Sequence, residues 1–310
     1  MAKHFIDLDK IPADQLKAII TLAKKLKAFD KFEASRLLFL KNLVMIFEKS
    51  STRTRISFEA GINQLGGRAI VMNRNDMQLG KGETVHDTAK VLSGLVDIAM
   101  IRCKEHKMLL DMADSSSIPI INGLSDYSHP CQIMSAILTF EEAFNSSIKG
   151  KKLAWMGDAN NVLNSYIHAA LAFDYQLDIA IPEAFDFSNQ EIARAKSKGA
   201  RINLYHNPEQ AVANADVIIT DTWFSMGQIS AEDKKAKDDK LKLLSGYQVN
   251  QSLMKLAKPT AIFSHCLPAY RGFEVTKEVI DGKQSMVFLE SNNRLHAQKA
   301  IMLWLMDIKL

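Results

Sequence analysis

The chain has 310 residues, 47% of them hydrophobic and 24% charged, which is the composition of a globular protein and a length suited to two domains. Its 39 basic and 35 acidic residues leave +4, too little for a nucleic-acid footprint; the densest run, Lys234, Lys235 and Lys237, is diluted by Asp233, Asp238 and Asp239 and reads as a solvated helix or loop. Cys103, Cys131 and Cys266 show no CxxC spacing, the N-terminus lacks an apolar signal core, and no window approaches about eighteen apolar residues, so a disulfide framework, a zinc site, secretion and a membrane span are all set aside.

In chain order, Leu16, Ile19, Ile20, Ala23 and Leu26 recur at helical spacing after Pro12. Leu43–Phe47 reads as a buried strand, Arg53–Gln64 as a helix, Arg68–Met72 as a strand and Thr84–Leu92 as a helix. Ile98–Ile101 and Ile118–Ile121 read as strands, and a longer helix runs from Pro130 towards Phe144. After Ser146–Gly150 the alternation restarts. Leu153–Met156, Leu177–Ile181, Arg201–Leu204 and Val217–Thr220 are expected strands, with helices at Asn160–Phe173 and Gln190–Lys198. Ala261–Ser264 and Met286–Phe288 are the last expected strands, and Asn293–Asp307 a terminal helix. Strands alternating with helices predict an α/β protein: two doubly wound parallel-sheet domains joined by interdomain helices. In such sheets ligands sit at the carboxyl ends of strands, in the loops that precede helices.

Four sequences in the first half fall at such places. Ser50-Ser51-Thr52-Arg53-Thr54-Arg55 follows a strand and opens a helix, so it is either a phosphate cradle or an N-cap beside solvated arginines. Arg102 ends an apolar strand and must reach solvent or an anion. His129-Pro130-Cys131-Gln132 starts a helix; His129 and Gln132 could project to one side, or His129 could be a hydrogen-bonded structural group. Gln78-Leu79-Gly80-Lys81-Gly82-Glu83-Thr84 is a loop that could close over an anion, or a plain turn.

In the second half, Gly157-Asp158-Ala159-Asn160-Asn161 stands where a nicotinamide-binding fold would carry GxGxxG, and asparagines replace the glycines. Their amides suit the α-carboxylate or α-amine of an amino acid, or simply a capped turn. Asp221-Thr222-Trp223-Phe224-Ser225-Met226-Gly227 places Asp221 where it could pair with an ammonium, in either a lid or a buried loop. In His265-Cys266-Leu267-Pro268 the cysteine is nucleophilic, ligating or inert, and Arg294 is either a surface residue or a return to the anion site.

SSTRTR followed downstream by HPCQ resembles the carbamoyl-phosphate half of the aspartate/ornithine carbamoyltransferase family. DANNV, DTWFSMG, SHCLPAYRG and NNRLHAQKA are similar to the second half and C-terminal helix of its ornithine branch. The resemblance runs the length of the chain. It implies a carbamoyl-phosphate-binding domain at 1–138, completed by a C-terminal helix at 293–310, and an ornithine-binding domain at 139–292. It assigns Ser51, Thr52, Arg53 and Thr54 to the phosphate, Arg102 and His129 to the carbamoyl carbonyl, Gln132 to the carbamoyl amide, and Arg294 to the donor. Gln78 would reach the site of a neighbouring subunit. Asn161, Asp221, Ser225 and Met226 would contact ornithine, with Asp221 on its α-amino group; Cys266 and Leu267 would lie where the carbamoyl group meets the δ-amine. Arg102, His129, Cys266 and Arg53 are thus the expected catalytic set.

The implied reaction carries the carbamoyl group from carbamoyl phosphate to the δ-amino group of L-ornithine, giving L-citrulline and phosphate, in arginine biosynthesis more than in catabolism. No cofactor and no metal are expected. The implied protein is cytoplasmic and a homotrimer, or a multiple of trimers, with shared active sites; neither nucleic acid nor membrane is a partner. One departure stands out: Ser291-Asn292-Asn293 replaces the Ala-Glu-Asn common before the final Arg-Leu-His of bacterial members, so the carboxylate at position 292 is lost and the orientation of Arg294 is left open. Three rivals are a nicotinamide oxidoreductase, disfavoured by the missing glycines, a non-catalytic amino-acid or phosphate-binding regulator, and an aspartate carbamoyltransferase.

Overall fold

The computed structural model describes residues 2–79, 82–185, 189–224 and 234–310. They divide into two compact units, Met1–Leu138 with Asn292–Leu310, and Thr139–Ser291.

The first unit opens with α1 (Ala13–Ala28), whose buried Leu16, Ile19, Ile20, Ala23 and Leu26 are the predicted apolar stripe. A short α2 (Lys31–Ala34) is capped by the Asp30 carboxylate, which accepts from the Phe32 and Glu33 N–H groups. Then β1 (Asn42–Phe47), α3 (Thr52–Gln64), β2 (Arg68–Asn73), α4 (Val85–Leu95), β3 (Ile98–Arg102), α5 (His106–Ser115), β4 (Ile120–Leu124) and α6 (Pro130–Ala143) alternate. The four strands lie in the order β2-β1-β3-β4, every pairing parallel. β1 and β3 are buried almost throughout, as unbroken runs such as Leu43-Val44-Met45-Ile46-Phe47 require when both faces of a strand are covered.

The second unit holds β5 (Lys152–Met156), α7 (Asn161–Phe173), β6 (Gln176–Ala180), α8 (Asn189–Ser197), β7 (Arg201–Tyr205), α9 (Pro208–Val212), β8 (Val217–Thr220), α10 (Lys234–Leu244), α11 (Gln251–Leu256), β9 (Ile262–Ser264) and α12 (Lys277–Ile280). Its five strands are also all parallel, in the order β7-β6-β5-β8-β9. A core of Ala154, Met156, Ile218, Phe263, Val275 and Val287, with their neighbours, closes one face of this sheet. The last helix, α13 (Val287–Leu305), begins in the second unit and ends in the first.

The α/β alternation and most elements lie where the sequence places them. One expected strand does not form: Met286–Phe288 runs into the first turn of α13. Only Ser285 pairs, bridging Phe263, with the Met286 N–H on Phe263 O at 2.8 Å. A four-residue apolar run fits a strand or a buried helix equally, and here the helix continues it. The strand expected at Ile118–Ile121 lies at Ile120–Leu124, its end disguised by Asn122 and Gly123. Helices α9 and α11 are too short to show a period, whereas α5 is not among the expected elements although its buried Leu109, Met112 and Ala113 stand at helical spacing.

Candidate active site

In the first unit the chain leaves β1 towards β2 on one side, while β3 and β4 lie on the other. The carboxyl ends of β1 and β3, where Phe47 is in register with Arg102, are therefore the switch point at which such a sheet leaves a crevice. Beyond Phe47, Ser51 caps α3, its hydroxyl accepting the Thr54 N–H at 3.3 Å. First-turn N–H groups have no carbonyl inside their own helix and carry its positive dipole end.

Thr54 is fully buried, and it collects two guanidiniums. Its hydroxyl oxygen accepts Nη2 of Arg294 at 2.8 Å and Nη1 of Arg102 at 3.5 Å. With the oxygen's lone pairs so engaged, its proton can go to a ligand. Arg294 also donates Nη1 to the Gln132 Oε1 at 3.0 Å, which ties α13 to the start of α6. His129 is buried beside them. Burial, reinforced by the charges of Arg294, Arg102 and Arg53, holds its pKa well below the usual histidine value. The imidazole is therefore neutral at physiological pH and acts as an N–H donor, not as a cation. Two guanidiniums on one hydroxyl, with the Arg53 charge near enough to act on the neutral imidazole, make a place for a dianion such as a phosphate monoester.

Thus Ser51, Arg53, Thr54, Arg102, His129, Gln132 and Arg294 come together. Arg294 corrects its surface alternative: it lies two turns inside α13 and is 3% exposed. Asn292 is exposed, and Thr54 with Gln132 holds the guanidinium without a carboxylate at that position. Thr52 is exposed on the first turn of α3. Gln78 is exposed, and no hydrogen bond among the described residues joins it to this cluster.

The second unit repeats the arrangement with the opposite charge. Its switch point lies between β5 and β8, where Met156 pairs with Thr220. Gly157, at φ +106°, is required because a Cβ there would come within 2.9 Å of the Trp223 Nε1. Asn160 caps α7, accepting the Val162 N–H at 2.9 Å and the Leu163 N–H at 3.2 Å. Its Nδ2 donates to Asp221 Oδ2 at 2.9 Å, while the Cys266 thiol donates to Asp221 Oδ1 at 3.0 Å. Asp221 is buried and so held in one orientation from both sides. Asn161, singled out from the sequence, occupies the first position of α7 and is half-buried. Ser225 and Met226 lie outside the described residues.

Two supports here were not legible beforehand. Lys240 of α10 donates to Asp158 Oδ2 at 3.0 Å. Burial pushes the Asp158 carboxyl above its ordinary pKa, against the pull of Lys240 and with a further push from Asp221. His265 and Glu274 are both fully buried, with the imidazole Nε2 3.4 Å from Glu274 Oε1. The His265 Nδ1 accepts the Leu267 N–H at 2.9 Å, and Leu267 sits in left-handed backbone at φ +56°. The histidine thus fixes the chain just past Cys266.

The donor atoms of Asp221, His265 and Cys266 lie within 4.8 Å of one another, a set of the kind zinc accepts. Spacing arguments miss such a set because Asp221 is far away in sequence. His265, however, already uses Nδ1 for Leu267 and turns Nε2 towards Glu274, so a metal would have to displace one of them.

Residues 3–142 match the family model described as the aspartate/ornithine carbamoyltransferase carbamoyl-P binding domain, and residues 149–305 the Asp/Orn binding domain of the same family. The chain belongs to the aspartate/ornithine carbamoyltransferase family. It is accordingly a carbamoyl-transferring enzyme. The ornithine carbamoyltransferase of Brucella abortus (strain 2308) is 52% identical over 303 residues, 97% of this chain and 95% of the relative. That of Rhizobium meliloti (strain 1021) is 49% identical, with 99% of each chain covered. Among solved structures, ornithine carbamoyltransferase from Pyrococcus furiosus aligns with a TM-score of 0.92 at 42% identity, covering 99% of this chain and 98% of the other. The anabolic ornithine carbamoyltransferase from Campylobacter jejuni gives 0.90 at 38%, covering 98% and 99%. Apart from Arg294 the arginine–hydroxyl cluster falls within the carbamoyl-P match, and the carboxylate cluster falls within the Asp/Orn match; Arg294 lies in the part of the latter, residues 292–305, that belongs to the first compact unit.

Proposed function

We propose that the enzyme transfers the carbamoyl group of carbamoyl phosphate to the δ-amino group of L-ornithine, giving L-citrulline and phosphate, and that it serves arginine biosynthesis. The observation that carries the donor half is the meeting of Arg102 and Arg294 on Thr54 Oγ1, with neutral His129 alongside. Ser51, Thr52, Arg53 and Thr54 take the phosphate. Arg102, the His129 N–H and the Thr54 O–H take the carbamoyl oxygen, and Gln132 takes the carbamoyl amide. When the unprotonated δ-amine attacks the carbamoyl carbon, negative charge grows on that oxygen and these donors stabilise it. The C–O bond to phosphate then breaks as the attacking nitrogen gives up a proton to the departing phosphate oxygen, and the hydrogen phosphate dianion so formed meets Arg53 and Arg294.

For the acceptor half, Asp221 carries the α-ammonium of ornithine, fixed by Asn160 and Cys266, and Asn161, Ser225 and Met226 complete the amino-acid contacts. Cys266 and Leu267 stand where the amine is delivered. That the relatives are ornithine carbamoyltransferases supports ornithine over aspartate, and that the Campylobacter relative is an anabolic one supports the biosynthetic direction. The proposed assembly is a homotrimer in the cytoplasm, in which Gln78 serves a neighbouring subunit's site.

Citrulline formation by wild type and Arg53→Ala tests this reading. Wild type is expected to produce citrulline from ornithine and nothing from aspartate, and the mutant to lose activity through the donor. Carbamoyl aspartate as product, or an unaffected Arg53→Ala, would overturn it.

A further inference from the structure

Directly before His129 lies a turn held by two backbone bonds, the Ser125 N–H on Ser128 O and the Asp126 N–H on Lys104 O, both at 2.9 Å, and a buried side-chain network reinforces it. The N-terminal segment runs beside β4, with the Phe5 N–H on Ile120 O and the Asn122 N–H on Phe5 O, both at 2.8 Å. That pairing delivers Asp7, which is 5% exposed, to the turn. Asp7 Oδ1 accepts the Ser128 hydroxyl at 2.6 Å, and Oδ2 lies 3.0 Å from His106 Nε2. His106 Nδ1 is 2.8 Å from the Ser125 Oγ. A carboxylate only accepts, so the Nε2 side of the ring presents an N–H to Asp7, and Nδ1 shares a hydrogen bond with the Ser125 hydroxyl. The Ser125 oxygen in turn accepts the N–H groups of Tyr127 at 3.3 Å and Ser128 at 3.2 Å, and the Ser125 N–H closes on Ser128 O at 2.9 Å. Asn122 Nδ2 adds a bond to Ser128 Oγ at 2.9 Å.

Serine, histidine and aspartate in sequence have the composition of a nucleophilic triad. Ser125 is fully buried, though, and its oxygen is already committed to two backbone N–H groups, so the set is architectural.

We propose that Asp7 and His106 are positioning residues for His129: they clamp the 125–128 turn and so fix where the imidazole points at the start of α6. The proposal rests on the carbonyl-polarising role given to His129 above. A donor to a developing oxyanion acts only within a few tenths of an ångström of its ideal place, and a displacement of about 1 Å far from the chemistry costs on the order of a hundredfold in rate. The clamp comes from residues remote in sequence, and it adds side-chain bonds on Ser125 and Ser128 to the backbone bond, Asp126 N–H on Lys104 O, that ties the turn to its neighbour.

The test is steady-state kinetics of Asp7→Ala and His106→Ala, with inorganic phosphate as inhibitor and circular dichroism as the control for folding. The expected result is a kcat lower by about ten- to a hundredfold, with the inhibition constant for inorganic phosphate unchanged, because phosphate alone meets the Ser51–Thr54 cradle and not the carbonyl donor. Asp7→Asn, which keeps one oxygen acceptor, should fall between. Adding Asp7→Ala to His129→Asn should lower kcat no further than His129→Asn alone. Wild-type kcat in folded Asp7→Ala and His106→Ala, or a full additional loss in the double variant, would overturn the proposal. Should Asp7→Ala fail to fold, Ser128→Ala removes only the hydroxyl on Oδ1 and is read in the same way. An unchanged kcat in His129→Asn by itself would instead remove the site reading on which the clamp depends.

Discussion

The two units use one architectural solution for opposite charges. At the β1/β3 switch point guanidiniums gather on a hydroxyl; at the β5/β8 switch point a carboxylate is gripped by an amide and a thiol. In both, the charged group is buried or nearly so and oriented by neutral partners from neighbouring loops. A neutral partner fixes the direction of a charge without cancelling it, which leaves most of its attraction for a ligand. Even His129 follows this rule, since burial, reinforced by the surrounding guanidiniums, keeps it uncharged. The first unit is thus built for an anion and the second for a cation, and substitutions in one should leave binding at the other intact.

The largest break in that contrast should come from Arg294→Ala. It removes a buried charge-assisted donor from both Thr54 and Gln132, and we expect about a thousandfold loss in kcat/KM for carbamoyl phosphate. Arg294→Lys should rescue little of it, because an ammonium cannot span two acceptors as a guanidinium fork does. Rescue to near wild type would show that charge alone, without geometry, is what matters there.

His129→Asn should lower kcat about a hundredfold, by the same factor from pH 6 to pH 9, because the native imidazole does not titrate in that range. The sign for stability follows from the lowered pKa. Below the unfolded histidine pKa of about 6.5 the unfolded chain binds a proton that the native site refuses, so wild type loses stability as pH falls from there. The variant should show a flatter melting-temperature profile between about pH 5 and 6.5. A kcat ratio that changes sharply near neutrality would contradict the neutral assignment.

Asp221→Asn should raise the KM for ornithine about thirtyfold while leaving carbamoyl phosphate binding unchanged. Equal shifts in both would erase the division of labour between the units. The smallest effect belongs to Lys240→Met, which strands Asp158 and should destabilise the fold by about 1.5 kcal/mol at neutral pH. Asp158 already has a raised carboxyl pKa, so the native state holds that proton more tightly than the unfolded chain does. The deficit should therefore shrink as pH falls and Asp158 becomes neutral; a deficit independent of pH would mean that Lys240 contributes packing and not charge.

Much of this was readable from residues alone. The SSTRTR segment, Arg102, His129, Asp221 and the HCLP segment follow strands that were themselves predictable, and strand-end loops are where a parallel sheet binds ligands. Arg294 needed the fold, because the apolar run Val287-Phe288-Leu289 fits strand and helix alike and the true helix start hid the residue's depth. Asn160 and Asn161 could not be told apart either: which of two adjacent asparagines caps α7 depends on the turn, and the cap proved to be the one that also steers Asp221.

Local pattern determined the alternation of strands and helices, the two-part organisation and the identities of the charged groups, since each depends on neighbours within a few residues. Tertiary structure alone decided that Arg102 and Arg294 share Thr54, that His129 is uncharged, that Lys240 reaches Asp158 and that Asp7 holds the His129 turn. Those facts depend on burial and on hydrogen bonds between residues far apart in the chain, and the strength of a charge or a donor is set by that surrounding medium.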